Sequence, residues 1–91
     1  MKSIFSLQLL HLADRVQMST NRQRPKLIKE IEALIPPLRD HIESLNLDES
    51  SLAYRRWDKV INEIHAAREL LEDEKNPEEA ALALRSAESY L

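Results

Sequence analysis

The sequence predicts an all-α fold, a compact bundle of four helices in a single domain of 91 residues. Three observations favour this fold. The chain contains no glycine, the residue that most readily supplies the positive-φ positions of hairpin turns and phosphate-binding loops. Apolar residues recur at the spacing of helix faces in four segments. Proline and asparagine stand where helices commonly begin. We therefore expect helices over about residues 3–18, 25–45, 50–73 and 77–90.

The first expected helix, with Ser3 as its N-cap, is apolar on two sides. One stripe consists of Phe5, Leu9, Leu12, Ala13 and Val16. A second stripe consists of Ile4, Leu7, Leu10, His11 and Met18. A bundle helix needs one stripe for the core, so the second should be covered by helix 2, a second subunit or a different protein. We expect His11 to be partly buried or to lie at that interface.

The second helix should carry Pro25 in its first turn. Its apolar residues fall on one arc, which comprises Leu27, Ile28, Ile31, Leu34, Ile35, Leu38, Ile42 and Leu45. This arc continues in phase across Pro36-Pro37, and both prolines lie outside it. Because proline removes a backbone hydrogen bond, we expect a kinked but continuous helix. A true break at Ile35, with Pro36 opening a new helix, is the alternative.

The third helix should be capped by Asp48 or Ser50. Its apolar residues form a narrow seam, close to that of a coiled coil, which comprises Ala53, Trp57, Val60, Ile64, Ala67 and Leu71. We expect Trp57 to be largely buried between helices 3 and 4 and the rest of the bundle. The acidic run over residues 72–74 is unfavourable at a helix C-terminus, where the macrodipole is negative, and it predicts fraying.

The fourth helix has the sharpest start signal in the chain. Asn76 is expected to be the N-cap, Pro77 the first helical residue, and two acids follow in the first turn. The residues expected to point inward are Ala80, Ala83, Leu84, Ala87 and Leu91. The small alanine side chains should let this helix approach helix 3 closely.

Residues that could support catalysis are sparse. The chain has no cysteine, and no serine stands in a Gly-x-Ser-x-Gly elbow. His65 and Glu69 share a helix face, but a zinc site would need a third ligand that no spacing in the sequence suggests. We expect His41 to face solvent. The sequence therefore predicts a protein that is not an enzyme and that binds no metal or other cofactor.

Charge is distributed unevenly along the chain, whose net charge is −3. Residues 1–29 carry six Lys and Arg residues and one acid, whereas residues 30–91 carry seven basic and fifteen acidic residues. Two basic clusters could contact anions or nucleic acid. The first comprises Arg22, Arg24, Lys26 and Lys29, and the second comprises Arg55, Arg56 and Lys59. Net acidity nevertheless disfavours a dedicated nucleic-acid-binding protein.

These observations predict a small, cytoplasmic, non-catalytic protein that binds other proteins through apolar helix faces, as an adaptor, inhibitor, immunity or regulatory protein. No stretch is long and apolar enough for a membrane span, and residues 1–20 lack the pattern of a secretion signal. The second stripe of helix 1 predicts self-association, most simply as a homodimer, or a different protein partner. A nucleic-acid-associated regulator that uses the two basic clusters is the alternative.

Overall fold

The computed structural model describes residues 4–91 and contains four α-helices in that range. They are α1 (Ile4–Gln17), α2 (Arg24–Ser44), α3 (Leu52–Glu72) and α4 (Pro77–Ser89). The predicted all-α bundle is therefore confirmed, and each described helix begins and ends within about two residues of its expected position. The expected N-cap Ser3 lies outside the described residues.

The helices form a ring in which α4 packs extensively against α1 and α3, and α2 packs against α3. The helices α1 and α2 touch only sparsely. Ser6 near the start of α1 donates a hydrogen bond of 2.5 Å to Glu88 near the end of α4. Arg15 near the end of α1 pairs with Glu30 in the first half of α2. Neighbouring helices are therefore antiparallel, in the up-and-down arrangement that short connections favour.

This topology gives the bundle two ends. The Trp57 end collects the starts of α1 and α3 and the ends of α2 and α4, whereas the Arg68 end collects the other four helix termini. Because α2 and α3 each have 21 residues, they run about 30 Å between the two ends at 1.5 Å per residue. Functional residues that lie at opposite ends are therefore far apart.

One apolar core joins all four helices. The buried residues on α1 and α2 are Leu9, Leu12, Ala13, Val16, Leu27, Ile31 and Leu38. Those on α3 and α4 are Val60, Ile61, Ile64, Ala67, Leu71, Ala80, Ala81, Ala83, Leu84 and Ala87. The α4 surface inside the bundle consists almost entirely of alanine, whose small side chain permits close approach to α1 and α3. These residues include most of the predicted inward positions.

The helix α2 is continuous through Pro36-Pro37, so the alternative of a break at Ile35 is wrong. Each proline removes one backbone donor from the helix, and the deprived carbonyls belong to Glu32 and Ala33, four residues earlier. Both of those residues and both prolines are exposed, so water can satisfy the carbonyl groups. Core residues before and after the prolines, Ile31 and Leu38, keep the two halves in one helix.

The predicted N-cap of α4 is confirmed, whereas the N-cap of α3 lies one residue after the predicted Ser50. The Asn76 side chain accepts a hydrogen bond of 3.1 Å from the backbone N–H of Glu79. The cap of α3 is Ser51, which accepts from the backbone N–H of Tyr54, rather than Asp48 or Ser50. Asp48 instead accepts hydrogen bonds from Ser50 within the preceding turn, and this local contact occupies both residues.

Three residues of the predicted apolar faces are exposed, and all three lie at or near helix ends, namely Leu45, Ala53 and Leu91. Trp57 is half-buried and packs against the core, and its ring meets the His41 ring of α2. The apolar periodicity of each helix continues past the last layer of the core, so the same helix face becomes exposed near the end of the bundle.

Candidate protein-interaction surfaces

Three of the seven exposed large apolar residues in the described chain lie on or just after α1. Ile4 and Leu7 are 68% and 62% exposed, and Met18, just past the helix, is 84% exposed. The residues of this surface follow the three- and four-residue spacing of a coiled-coil seam. We call it the α1 outer face, and it consists of Ile4, Leu7, His11, Asp14 and Met18.

The α1 outer face is uncovered because α1 directs its other stripe at the core, and α2 approaches α1 only sparsely. The predicted interface residue Leu10 is half-buried beside this face. His11 is exposed in the single chain, so the expectation of partial burial there is wrong. A hollow of about 460 Å³ adjoins the face between the end of α1 and the start of α2. Its lining includes His11, Met18 and Lys26.

Ion pairs border the α1 outer face on both sides. Toward α2, the Arg15 guanidinium donates two hydrogen bonds of 2.8 and 2.7 Å to the Glu30 carboxylate. These bonds lower the pKa of Glu30 below its ordinary value. Toward α4, Arg85 donates to Asp14 at 3.0 Å and to Gln17 at 2.6 Å. Two polar links therefore hold α1 between its neighbours while its apolar face stays exposed.

At the Arg68 end of the bundle, Arg68 of α3 forms two further ion pairs. Arg68 contacts Glu32 of α2 at 2.6 Å and Glu72 of its own helix at 3.0 Å. The hydrogen bond to Glu32 raises the pKa of Arg68. The guanidinium is therefore fixed between two carboxylates and is less available for a nucleic-acid phosphate.

An aromatic contact joins three helices at the Trp57 end. The His41 ring lies 5.4 Å from the Phe5 ring of α1 and 5.4 Å from the Trp57 ring of α3, measured between centroids. His41 is exposed as predicted, but its ring packs against both neighbours. Each of the four helix termini at this end of the bundle carries an exposed apolar residue, namely Ile4, Leu45, Leu52 and Leu91.

A groove with a volume of about 680 Å³ lies on the outer side of the α2–α3 pair. Apolar and aromatic residues in its lining are Ile42, Leu47, Tyr54, Trp57 and Ile61. Charged and polar residues in its lining are Arg39, Glu43, Asn46, Glu49, Asp58, Asn62 and His65. We call it the acidic groove, because three carboxylates face one guanidinium. Sequence patterns did not predict it, since they describe one helix at a time and the groove requires two.

The two predicted basic clusters are not brought together. Arg22, Arg24, Lys26 and Lys29 lie at the Arg68 end, whereas Arg55, Arg56 and Lys59 lie at the Trp57 end. Arg24 donates a hydrogen bond of 2.8 Å to the Asn21 side chain. Lys59 Nζ lies 5.3 Å from the centroid of the Tyr90 ring. No single continuous basic surface contains both clusters.

The pair of His65 and Glu69 is exposed on α3. Within residues 4–91, no group of three or more His, Cys, Asp or Glu side chains is arranged to hold a metal ion. None of the helices in the same range combines the length and apolar character needed to cross a membrane.

In comparisons with known proteins, no family model, curated protein or solved structure matches the chain.

Proposed function

We propose that this protein is a small, non-catalytic protein-interaction module, and that its α1 outer face binds a second copy of the chain in a two-fold dimer. The observation that carries the proposal is the exposure of Ile4 and Leu7, 68% and 62%, on a face with coiled-coil spacing. Single exposed leucines are ordinary on protein surfaces, whereas several apolar residues on one helix face mark interfaces.

The α1 outer face is complementary to itself when two copies run antiparallel. A two-fold axis near the middle of α1 brings Leu7 of one copy against Met18 of the other. The same axis brings the His11 imidazole against the Asp14 carboxylate, which can accept a hydrogen bond from it. Each contact occurs twice by symmetry, as in the isologous interfaces of most homodimers. This pairing favours a second copy over an unrelated partner.

The dimer is tested by sedimentation equilibrium of the wild-type protein and of Leu7→Glu at tens of micromolar. We expect the wild type to sediment as a dimer and Leu7→Glu as a monomer, since the new carboxylate would be desolvated in the interface. Leu7 is preferable to Leu10 as a test site because Leu10 is half-buried and its replacement would also disturb the core.

The matched control is Leu52→Glu, which adds the same charge at an exposed leucine on α3, the helix diagonal to α1. This variant should remain dimeric. A wild type that is monomeric at tens of micromolar would overturn the dimer. If both Leu7→Glu and Leu52→Glu are monomeric, the dimer interface is not confined to the α1 outer face.

A further inference from the structure

We propose that the acidic groove between α2 and α3 binds a basic, amphipathic segment of another protein. In this complex, an apolar side chain of the partner rests on Trp57 and Ile61. Lysine or arginine side chains of the same segment reach the carboxylates of Glu43, Glu49 and Asp58. This site is separate from the α1 outer face and does not depend on the proposed dimer.

The floor of the groove is apolar and partly fixed in place. Ile61 is buried, Trp57 and Ile42 are half-buried, and all three line the groove. The His41 ring meets the Trp57 ring at an interplanar angle of 68°, which restrains the indole from the α2 side. A restrained aromatic side chain at the centre of a concave surface is the usual anchor of a protein interface, because little side-chain entropy is lost on binding.

The charges around this floor determine the kind of partner. Glu43, Glu49 and Asp58 are exposed, and none of them makes an ion pair within 4.0 Å in the described part of the chain. By contrast, Asp14, Glu30, Glu32 and Glu72 are each paired with arginine. With Arg39 as the one basic residue of the lining, the groove carries two excess negative charges. The excess carboxylates of the lining therefore attract cationic side chains and repel acidic ones.

The shape favours a peptide segment. A volume of about 680 Å³ lies within the range of ligand-binding clefts. Parallel ridges from two helices with an apolar floor suit a helix laid in a groove, with its apolar residues inward and its cations at the edges. A second copy of this chain is disfavoured as the occupant, because its net charge of −3 is repelled by the carboxylates of the groove.

The probe is a fluorescein-labelled model helix of lysine and leucine, with leucine at positions i, i+3, i+4 and i+7 and lysine at the other positions. Binding is followed by fluorescence anisotropy at about 150 mM salt. We expect saturable binding that also changes the emission of Trp57, the single tryptophan of the chain. A peptide with glutamate in place of each lysine should bind at least about tenfold more weakly.

Two double variants with the same change of net charge distinguish binding in the acidic groove from attraction by the net charge of the protein. Glu43→Lys/Asp58→Lys replaces two exposed carboxylates of the groove and should weaken the lysine peptide about tenfold. Asp73→Lys/Glu74→Lys replaces two exposed carboxylates at the Arg68 end and should change its affinity less than about twofold. Circular dichroism verifies that both variants remain helical.

If the two double variants weaken peptide binding equally, the attraction depends on net charge alone and the proposed binding site is overturned. No weakening by Glu43→Lys/Asp58→Lys would overturn it as well. Leu7→Glu should bind the peptide normally, whereas its failure to bind would locate the peptide on the α1 outer face. Large concentration-dependent assemblies that Glu43→Lys/Asp58→Lys abolishes would identify a second copy as the occupant instead.

Discussion

Lys75 and Asn46 adopt left-handed backbone conformations, with φ of 52° and 54°. Each lies in a connection between helices, Asn46 between α2 and α3 and Lys75 between α3 and α4. Such positions are usually occupied by glycine, which this chain does not contain. Asparagine tolerates the conformation better than lysine, whose Cβ approaches the following carbonyl oxygen. Lys75 is therefore a site of local backbone strain.

Replacing Lys75 with glycine should stabilise the protein. Relief of the Cβ clash exceeds the entropy that glycine adds to the unfolded chain, so we expect a gain of about 0.5–1 kcal/mol in the free energy of unfolding. This gain corresponds to an increase of roughly 2–8 °C in Tm for a domain of this size. Urea denaturation followed by circular dichroism measures it. Asn46→Gly is the control and should change stability less. If Lys75→Gly is less stable than the wild type, the backbone at Lys75 is not strained.

At the scale of elements, the weakest packing in the bundle is between α1 and α2, and polar contacts partly replace it. The bidentate pair of Arg15 and Glu30 spans this junction. Both side chains remain more than a third exposed, so solvent screens the pair and its contribution is below about 1 kcal/mol. The pair therefore acts chiefly by fixing the orientation of α1, and it keeps the α1 outer face turned outward.

Glu30→Gln should reduce stability at neutral pH by less than about 1 kcal/mol, and the difference from wild type should vanish on acidification. Arg15 lowers the pKa of Glu30 in the folded state, so its stabilisation is present above the unfolded pKa of about 4.3. It is lost as the pH falls through the lower folded pKa. Denaturation between pH 7 and pH 3 measures this, with Asp40→Asn as an unpaired control. If the free energy of unfolding differs between wild type and Glu30→Gln by the same amount at every pH, the stabilisation does not come from the Glu30 carboxylate.

The helices were predictable because their signals are local, whereas the surfaces between helices were not. Asn76 and Pro77 specify the start of α4 by themselves, and the spacing of core residues identifies the inward face of each helix. Periodicity does not specify which neighbour a face meets or where the core ends. For this reason the contact of Trp57 with His41 of α2 was not predicted. The second stripe of α1 was predictable, but the acidic groove required the relative positions of two helices.

At the scale of the whole molecule, the fold keeps the two basic clusters apart. The basic cluster of residues 22–29 lies at the Arg68 end, and the cluster of residues 55–59 lies at the Trp57 end. Acidic residues stand between and around them, including the unpaired carboxylates of the acidic groove. The molecule has a longest extent of 41 Å and presents short basic patches instead of one continuous basic surface.

This arrangement predicts weak binding to DNA. Affinity for duplex DNA depends on the number of phosphates that are neutralised at once, and neither cluster alone provides the many contacts of a tight complex. The net charge of −3 also repels the duplex as it approaches. We expect a Kd above about 10 µM for a duplex of about 20 base pairs at roughly 150 mM salt, measured by fluorescence anisotropy. Submicromolar binding that is lost when Arg22, Arg24 and Lys26 are neutralised together would instead favour a nucleic-acid-associated regulator. The same neutralisation should leave the α1 dimer intact, because none of these three residues belongs to the α1 outer face.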